Sequence, residues 1–335
     1  MAPFIAIEEH YMSPLLDDGQ GGHSQSVIKT FGPAVLAKLV DTGPARLRDM
    51  ANDSVAMTVL SHIPAGIEPE LCKAINDDLH SRIVRHPDRY AAFAVLPLQD
   101  PVAAAQELRR SVRQLGFVGA LIGNHLDDGS FFDAPRFHPL WEAAEELDVP
   151  IYLHPTYPSE DESRVNFEGS YDPEIAKALG AWGWGWHSRT GLHFLRLFAA
   201  GVFDKFPNLK IVLGHMGEML PFMLDRLVRV SYRWPAPEGR RRGLREVWDG
   251  NVWVTTSGMF SMAPMACLLQ ETKVERIMFS VDYPFSGNGA GRAFMETLKG
   301  SGLVSEAEWE GIAWRNVQGL LRLRFEPKAW GRGSL

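Results

Sequence analysis

Phe4-Ile5-Ala6-Ile7-Glu8-Glu9-His10 opens the chain, four apolar residues running straight into two carboxylates and an imidazole. A doubly wound sheet that binds a nucleotide would place a Gly-rich turn after this first strand, where backbone N–H groups meet phosphate. Polar side chains stand there instead. Residues i and i+2 of a strand share a face, so Glu8 and His10 are expected to point together while Glu9 points away.

Working outward, short β-rich apolar runs alternate with helical-period segments to the end of the chain. The runs are Phe4 to Glu8, Val55 to Leu60, Tyr90 to Leu96, Phe117 to Ile122, Pro150 to Leu153, Lys210 to Gly214, Asn251 to Thr255 and Arg276 to Val281. Helical patterns cover Glu68 to His86, Val102 to Leu115, His138 to Leu147, Leu192 to Phe203, Glu218 to Tyr232, Met262 to Thr272 and Gly291 to Lys299. In the second of these, Val102, Ala105, Leu108, Val112 and Leu115 recur at three- and four-residue steps and predict one buried face. Repeated βα units give a parallel sheet. Eight of them close most naturally into a (β/α)8 TIM barrel, which buries both faces of every strand and leaves no edge. A single domain spanning residues 1–335 is expected.

The composition suits a large globular core: 335 residues, 45% apolar and 22% charged, with 34 Lys+Arg against 41 Asp+Glu for a net charge of −7. That charge offers no footprint for nucleic acid or an anionic membrane. Arg240, Arg241, Arg242 and Arg245 form the only basic knot and read as a solvated loop. Cys72 and Cys267 cannot build a disulfide framework, and the chain has neither a basic-then-apolar leader nor an 18-residue apolar run. A cytoplasmic protein with no nucleic-acid or membrane partner is expected.

Two connections leaving C-terminal strand ends are long, Tyr11 to about Pro44 and Pro155 to Thr190. In a barrel that end is the catalytic face, and loops of this length are read as lids. They carry Phe31, Phe167, Tyr171, Trp182, Trp184 and Trp186, which suit either a cover over an aromatic substrate or a subunit interface. His23 and His187 also lie in these lids, where the sequence leaves a site role and a structural one open. His62, His80, His86, His138 and His193 read as structural or surface residues.

Polar residues recur where the apolar runs stop: Glu8 and His10 after the first, His154 after the fifth, His215 after the sixth and Asp282 after the eighth. Barrel closure would bring these ends together. Mixed carboxylate and imidazole donors suit one divalent cation with open positions. No Lys ends the fourth run, where Gly119 to Gly123 precedes Asn124 and His125, so a two-metal site bridged by a carbamylated Lys has no support.

With these motifs in place the chain resembles the amidohydrolase superfamily, and within it the amidohydrolase-2 branch of metal-dependent, non-oxidising decarboxylases. The resemblance is carried by Ile-Ala-Ile-Glu8-Glu9-His10, Tyr-Leu-His154-Pro, Leu-Arg-Leu-Phe-Ala-Ala-Gly-Val-Phe-Asp-Lys-Phe-Pro, Leu-Gly-His215-Met-Gly-Glu218-Met-Leu-Pro-Phe and Ser-Val-Asp282-Tyr-Pro-Phe. It extends from residue 3 to about 324 and is strongest toward the γ-resorcylate and 2,3-dihydroxybenzoate decarboxylases, in which Glu opens the first metal motif. It implies that Glu8, His10, His154 and Asp282 hold one divalent metal, Zn or Mn, with His215 and Glu218 beside it and Arg226 contacting substrate. It also implies a homodimer or homotetramer. Arg189 and Ser286 stand where the family commonly has acidic residues.

The expected reaction is decarboxylation of an ortho-hydroxybenzoate-type acid, reversible at high bicarbonate. Asp282 would give the proton to carbon, His215 would reprotonate it and Glu218 would orient His215. A hydrolase of a lactone or amide on the same barrel is the alternative, with Asp282 as base toward metal-bound water. A non-enzymatic scaffold would need missing ligands, and none is missing.

Overall fold

The computed structural model describes residues 3–17, 31–236 and 241–326. Eight strands stand in chain order: β1 Phe4–Tyr11, β2 Val55–His62, β3 Tyr90–Ala92, β4 Ala120–Gly123, β5 Pro150–His154, β6 Lys210–Leu213, β7 Val252–Thr255 and β8 Ile277–Met278. Each pairs in parallel with its sequence neighbour, within a β1-β2-β3 sheet and a β4-β5-β6-β7-β8 sheet. Parallel bridges Ala94 to Ala120 and Glu9 to Tyr283 join the two sheets on both sides, so the ring closes as the TIM barrel expected from the alternation.

The strand period sorts the core into two layers. Ile5 and Ile7 of β1 join Met57, Val59, Phe93, Leu121, Tyr152, Val212 and Met278 in the lumen, while Phe4 and Ala6 face the helices with Val55 and Leu60. Val317, Leu320 and Leu321, on the helix Asn316–Leu321, pack against the lumen cluster.

Four readings need correction. Val102 is 55% exposed; the buried face of Pro101–Leu115 is Ala104, Ala105, Leu108 and Ser111, together with Glu107, which is held by Arg110 and Asn76. The helix expected from Leu192 begins at Gly185, so the connection after β5 is largely helical, with Glu160–Asn166 and Pro173–Gly180 preceding it. β8 has only two residues. The basic knot is not simply solvated: Arg242 pairs with Glu246, and Arg245 with Glu271 and Asp225. Arg240 and His23 lie outside the described residues. No helix among the described residues is long and apolar enough to cross a membrane.

Candidate active site

Strict alternation from Ile5 and Ile7 would turn Glu8 outward with Phe4 and Ala6. It does not, because β1 holds one extra residue between the pairs Ala6–Thr58 and Glu9–Leu60. Such a bulge shifts the phase of every side chain after it. Glu8 and His10 therefore enter the barrel mouth, and Glu9 turns away to accept from the Val281 N–H at 2.9 Å.

The mouth collects the expected donors. Donor atoms of Glu8, His10, His154 and Asp282 all lie within 4.8 Å of one another. His154 Nε2 is 3.1 Å from Glu8 Oε1, and His10 Nε2 is 3.1 Å from Asp282 Oδ1. His215 Nε2 stands slightly back, 3.9 Å from Glu8 Oε1 and 3.8 Å from Asp282 Oδ2.

The donor set fits a divalent cation on its own chemistry. Glu8 Oε1 and His10 Nε2 are fully buried yet make no well-directed hydrogen bond, a costly state for protein alone. His154 Nδ1 donates to the Pro155 carbonyl at 2.7 Å, which leaves Nε2 as a bare lone pair facing the cluster, the usual arrangement of a ligating imidazole. The other oxygen of Glu8 is occupied: Tyr152 and Ser257 hydroxyls both donate to Oε2. Thr255 Oγ1 in turn lies 2.8 Å from the Tyr152 oxygen. One carboxylate oxygen is thus fixed by hydroxyls and the other left for a ligand. Gly214 makes room for this, since a Cβ there would lie 2.9 Å from both Glu8 Oε2 and the Tyr152 hydroxyl.

Beyond β6 the backbone is strained. His215, Met216, Gly217, Glu218 and Met219 all take positive φ, between 46° and 89°, and Asp282 does so at 68°. A non-glycine residue there costs roughly 1–2 kcal/mol, and such strain clusters at functional sites. The run turns His215 and Glu218 toward each other, with His215 Nδ1 donating to Glu218 Oε1 at 2.8 Å. Glu218 Oε2 accepts from His187 Nδ1, also at 2.8 Å.

Electrostatics assigns the protons. Burial alone would push His215 down, but the Glu218 and Glu8 carboxylates and the nearby Asp282 carboxylate outweigh it and hold it well above the ordinary imidazole range. Burial would likewise raise Asp282, yet the His10 and His215 imidazoles beside it keep it below the carboxylate range. Glu218 falls to about 2 for the same reason, burial being outweighed by His215 and His187. This ordering favours the proton on His215 and the carboxylate form of Asp282.

A cavity of about 550 Å³ opens over the cluster. His10, His154, His187, His215 and Asp282 line it with Phe31, Ile63, Ile67, Leu98, Leu126, Trp182, Trp186 and Phe285. Of the other expected aromatics, Phe167 is buried, whereas Tyr171 and Trp184 are exposed. Ser286 lines the cavity; Arg189 does not, and instead pairs with Glu162 to tie Glu160–Asn166 to the helix starting at Gly185. Arg226 is not brought to the cluster: it is exposed on the helix Leu220–Ser231 and absent from the cavity wall.

Sequence reading passed over Tyr152, Ser257, Thr255 and the contact of His187. A signal existed for the first, because Tyr152 precedes His154 by two and shares its strand face. The β7 run also ends in Thr255-Thr256-Ser257, three hydroxyls where apolar residues should continue.

The family profile described as Amidohydrolase matches residues 38–323. The chain is 50% identical over 330 residues to the decarboxylase orsB of Emericella nidulans, covering 97% of this chain and 99% of that protein. It is 39% identical to the γ-resorcylate decarboxylase of Rhodococcus jostii, over 95% of this chain and 98% of that one. Among solved structures it superposes with a TM-score of 0.85 on the dihydroxybenzoic acid decarboxylase of Polaromonas sp. JS666, which holds manganese and the inhibitor 2-nitroresorcinol. That match is 30% identical and covers 99% of this chain and 100% of the other.

Proposed function

This chain belongs to the amidohydrolase family, and from that premise we propose that it removes the carboxyl group of an ortho-hydroxybenzoate without oxidation, using one divalent metal held by Glu8, His10, His154 and Asp282. It is a carboxy-lyase acting on aromatic acids: its relatives are decarboxylases by name, and those of Rhodococcus jostii and Polaromonas are named for aromatic acids. The observation that carries the site assignment is the pair of buried donors, Glu8 Oε1 and His10 Nε2, that face the other cluster donors without a well-directed hydrogen bond beneath an aromatic-walled cavity. Manganese is favoured over zinc, since the Polaromonas structure holds it and two of the four donors are carboxylates.

Expelling CO2 directly would leave an aryl carbanion, so the ipso carbon must take a proton first. When bound, a divalent cation supplies Lewis acidity and a template for the carboxylate and ortho-hydroxyl oxygens. The proton starts on His215 Nε2, passes to Asp282 Oδ2 3.8 Å away, and goes on to carbon. The C–C bond then breaks, its electron pair restores the aromatic ring and CO2 departs. Solvent returns the consumed proton to His215. Asp282 is thus a relay fed by His215, not a stored acid. Each step is reversible, so high bicarbonate is expected to drive carboxylation. Glu218 keeps His215 turned and charged, while the apolar wall excludes water.

Homo-oligomerisation belongs to the same reading. Phe222, Met223 and Tyr232 are exposed on and just after the helix that carries Arg226, an apolar face that a second copy would cover. Arg226 would have to reach a substrate in such a neighbour.

The test is to incubate metal-loaded protein with salicylate-type acids and with lactones, following CO2 release against ring opening. Hydroxybenzoates are expected to lose CO2, and a chelator to abolish the loss. Turnover of lactones alone would overturn the decarboxylase reading in favour of hydrolysis.

A further inference from the structure

Glu218 carries two imidazoles, and the reaction as derived uses only one. A carboxylate can only accept, so the 2.8 Å contacts to His215 Nδ1 and His187 Nδ1 fix both rings with N–H at Nδ1. The two rings pack edge to face, with centroids 4.6 Å apart. With Nδ1 committed, Nε2 is the free nitrogen on each ring, and both residues line the same cavity.

This contact follows from how two backbones meet. His187 lies in the first turn of the helix Gly185–Ala199, and Gly191 lies one turn later on the same face. A Cβ at Gly191 would come within 2.7 Å of the Glu218 carbonyl oxygen. The missing side chain lets the helix lie directly on the left-handed run after β6, which carries His187 Nδ1 to Glu218 Oε2. Glu218 is 1% exposed, and with both oxygens occupied it has no freedom to rotate.

We infer that His187 is a positioning residue for the decarboxylation proposed above: by holding Glu218 through Nδ1, it keeps the opposite carboxylate oxygen on His215 and the His215 Nε2 turned toward Asp282 Oδ2, the atom it feeds. Without His187, Glu218 Oε2 would be a buried, unpaired anionic oxygen and the carboxylate would turn to find another donor. His215 would lose its orientation while the substrate kept its contacts, so kcat should fall and KM should not.

Three variants test this. His187→Leu removes the donor, His187→Asn restores an N–H near the Nδ1 position, and His187→Gln supplies one near Nε2 instead. His187→Leu and His187→Gln are expected to lower kcat on the order of 10-fold with KM within about twofold, and His187→Asn to recover most of the loss. Unchanged kcat in His187→Leu, a rise in KM alone, or recovery by Gln and not Asn would each overturn the proposal, the last two in favour of direct substrate contact. Should the Leu variant fail to fold, Asn against Gln decides alone. The inference rests on the decarboxylase reading, so a second measurement is independent of turnover. With 15N-labelled histidine, His187 and His215 are expected to give downfield Nδ1–H proton resonances in the wild type, beside those of rings such as His62, His125 and His154 whose Nδ1 donates to a backbone carbonyl. In His187→Leu the His187 resonance should vanish and the His215 resonance should shift, while the carbonyl-bound ones stay in place. A His215 resonance that does not move sinks the coupling even if CO2 release is never observed.

Discussion

The lumen of the barrel and its mouth, only a few residues apart along each strand, are built on opposite terms. In the lumen Ile5, Ile7, Met57, Val59, Val212 and Met278 are all buried, packed against Val317 and Leu320. At the mouth β1 is bulged, β6 runs into five left-handed residues, and Glu8 Oε1 and His10 Nε2 are buried without a well-directed hydrogen bond. Each buried, unpaired polar group costs about 1–3 kcal/mol. The apolar lumen offsets that penalty. Substitutions at the two levels should therefore separate: mouth variants lose chemistry and keep stability, lumen variants the reverse.

The largest expected effect tests the mouth. Asp282→Asn removes the proton relay and one anionic donor, so kcat should fall roughly 10²–10⁴-fold. Its thermal midpoint should drop only modestly, because Asn suits the left-handed backbone at 282 even though the pairing of the carboxylate with His10 and His215 is lost. A midpoint many degrees lower would show that Asp282 holds the fold together and would erase the distinction. The complementary lumen variant is Ile7→Ala, which empties a fully buried site. It should cost about 2–5 kcal/mol in denaturant unfolding while kcat per folded molecule stays within about twofold. Lost activity at full folding would mean that the two levels are coupled through β1.

The same division decides what was legible in the sequence. Strand positions and barrel closure could be read because they rest on alternation and apolar runs, which local residues specify. Glu8, His10, His154 and Asp282 were legible as polar interruptions of those runs, and they converge as expected. The bulge after Ala6 was not, because one extra residue in β1 is defined only against its partner β2. Val102 was misread because two adjacent sets on Pro101–Leu115 satisfy a helical period, and packing against neighbouring helices chooses between them. The motif that points to Arg226 carries no information about where the helix Leu220–Ser231 aims that side chain, which is exposed and off the cavity wall. His187 lay in a stretch read as loop; only the helix start at Gly185 and the close approach at Gly191 give it a partner.

The smallest effect is a pH dependence that contrasts two buried imidazoles. His215 has carboxylate neighbours and is held protonated, whereas His193, on the helix Gly185–Ala199, sits edge-on to Phe132 with neither ring nitrogen hydrogen-bonded. Burial, followed by the His125 and Arg196 charges, pushes His193 from 6.5 down to about 3. Between those values the unfolded chain binds a proton that the folded one refuses, so stability rises with pH across the window. The stability is fully present above 6.5 and is lost as pH falls toward about 3. At pH 5 the loss from this one group is about 2 kcal/mol. His193→Leu replaces the ring with an apolar group of similar size, so unfolding at pH 7 and at pH 5 should differ by about 2 kcal/mol less in the variant than in the wild type. Equal acid sensitivity in the two proteins would mean that His193 finds a proton acceptor in solution. His193 would then belong with the paired histidines of the mouth, and the contrast between buried imidazoles with and without carboxylates would fail.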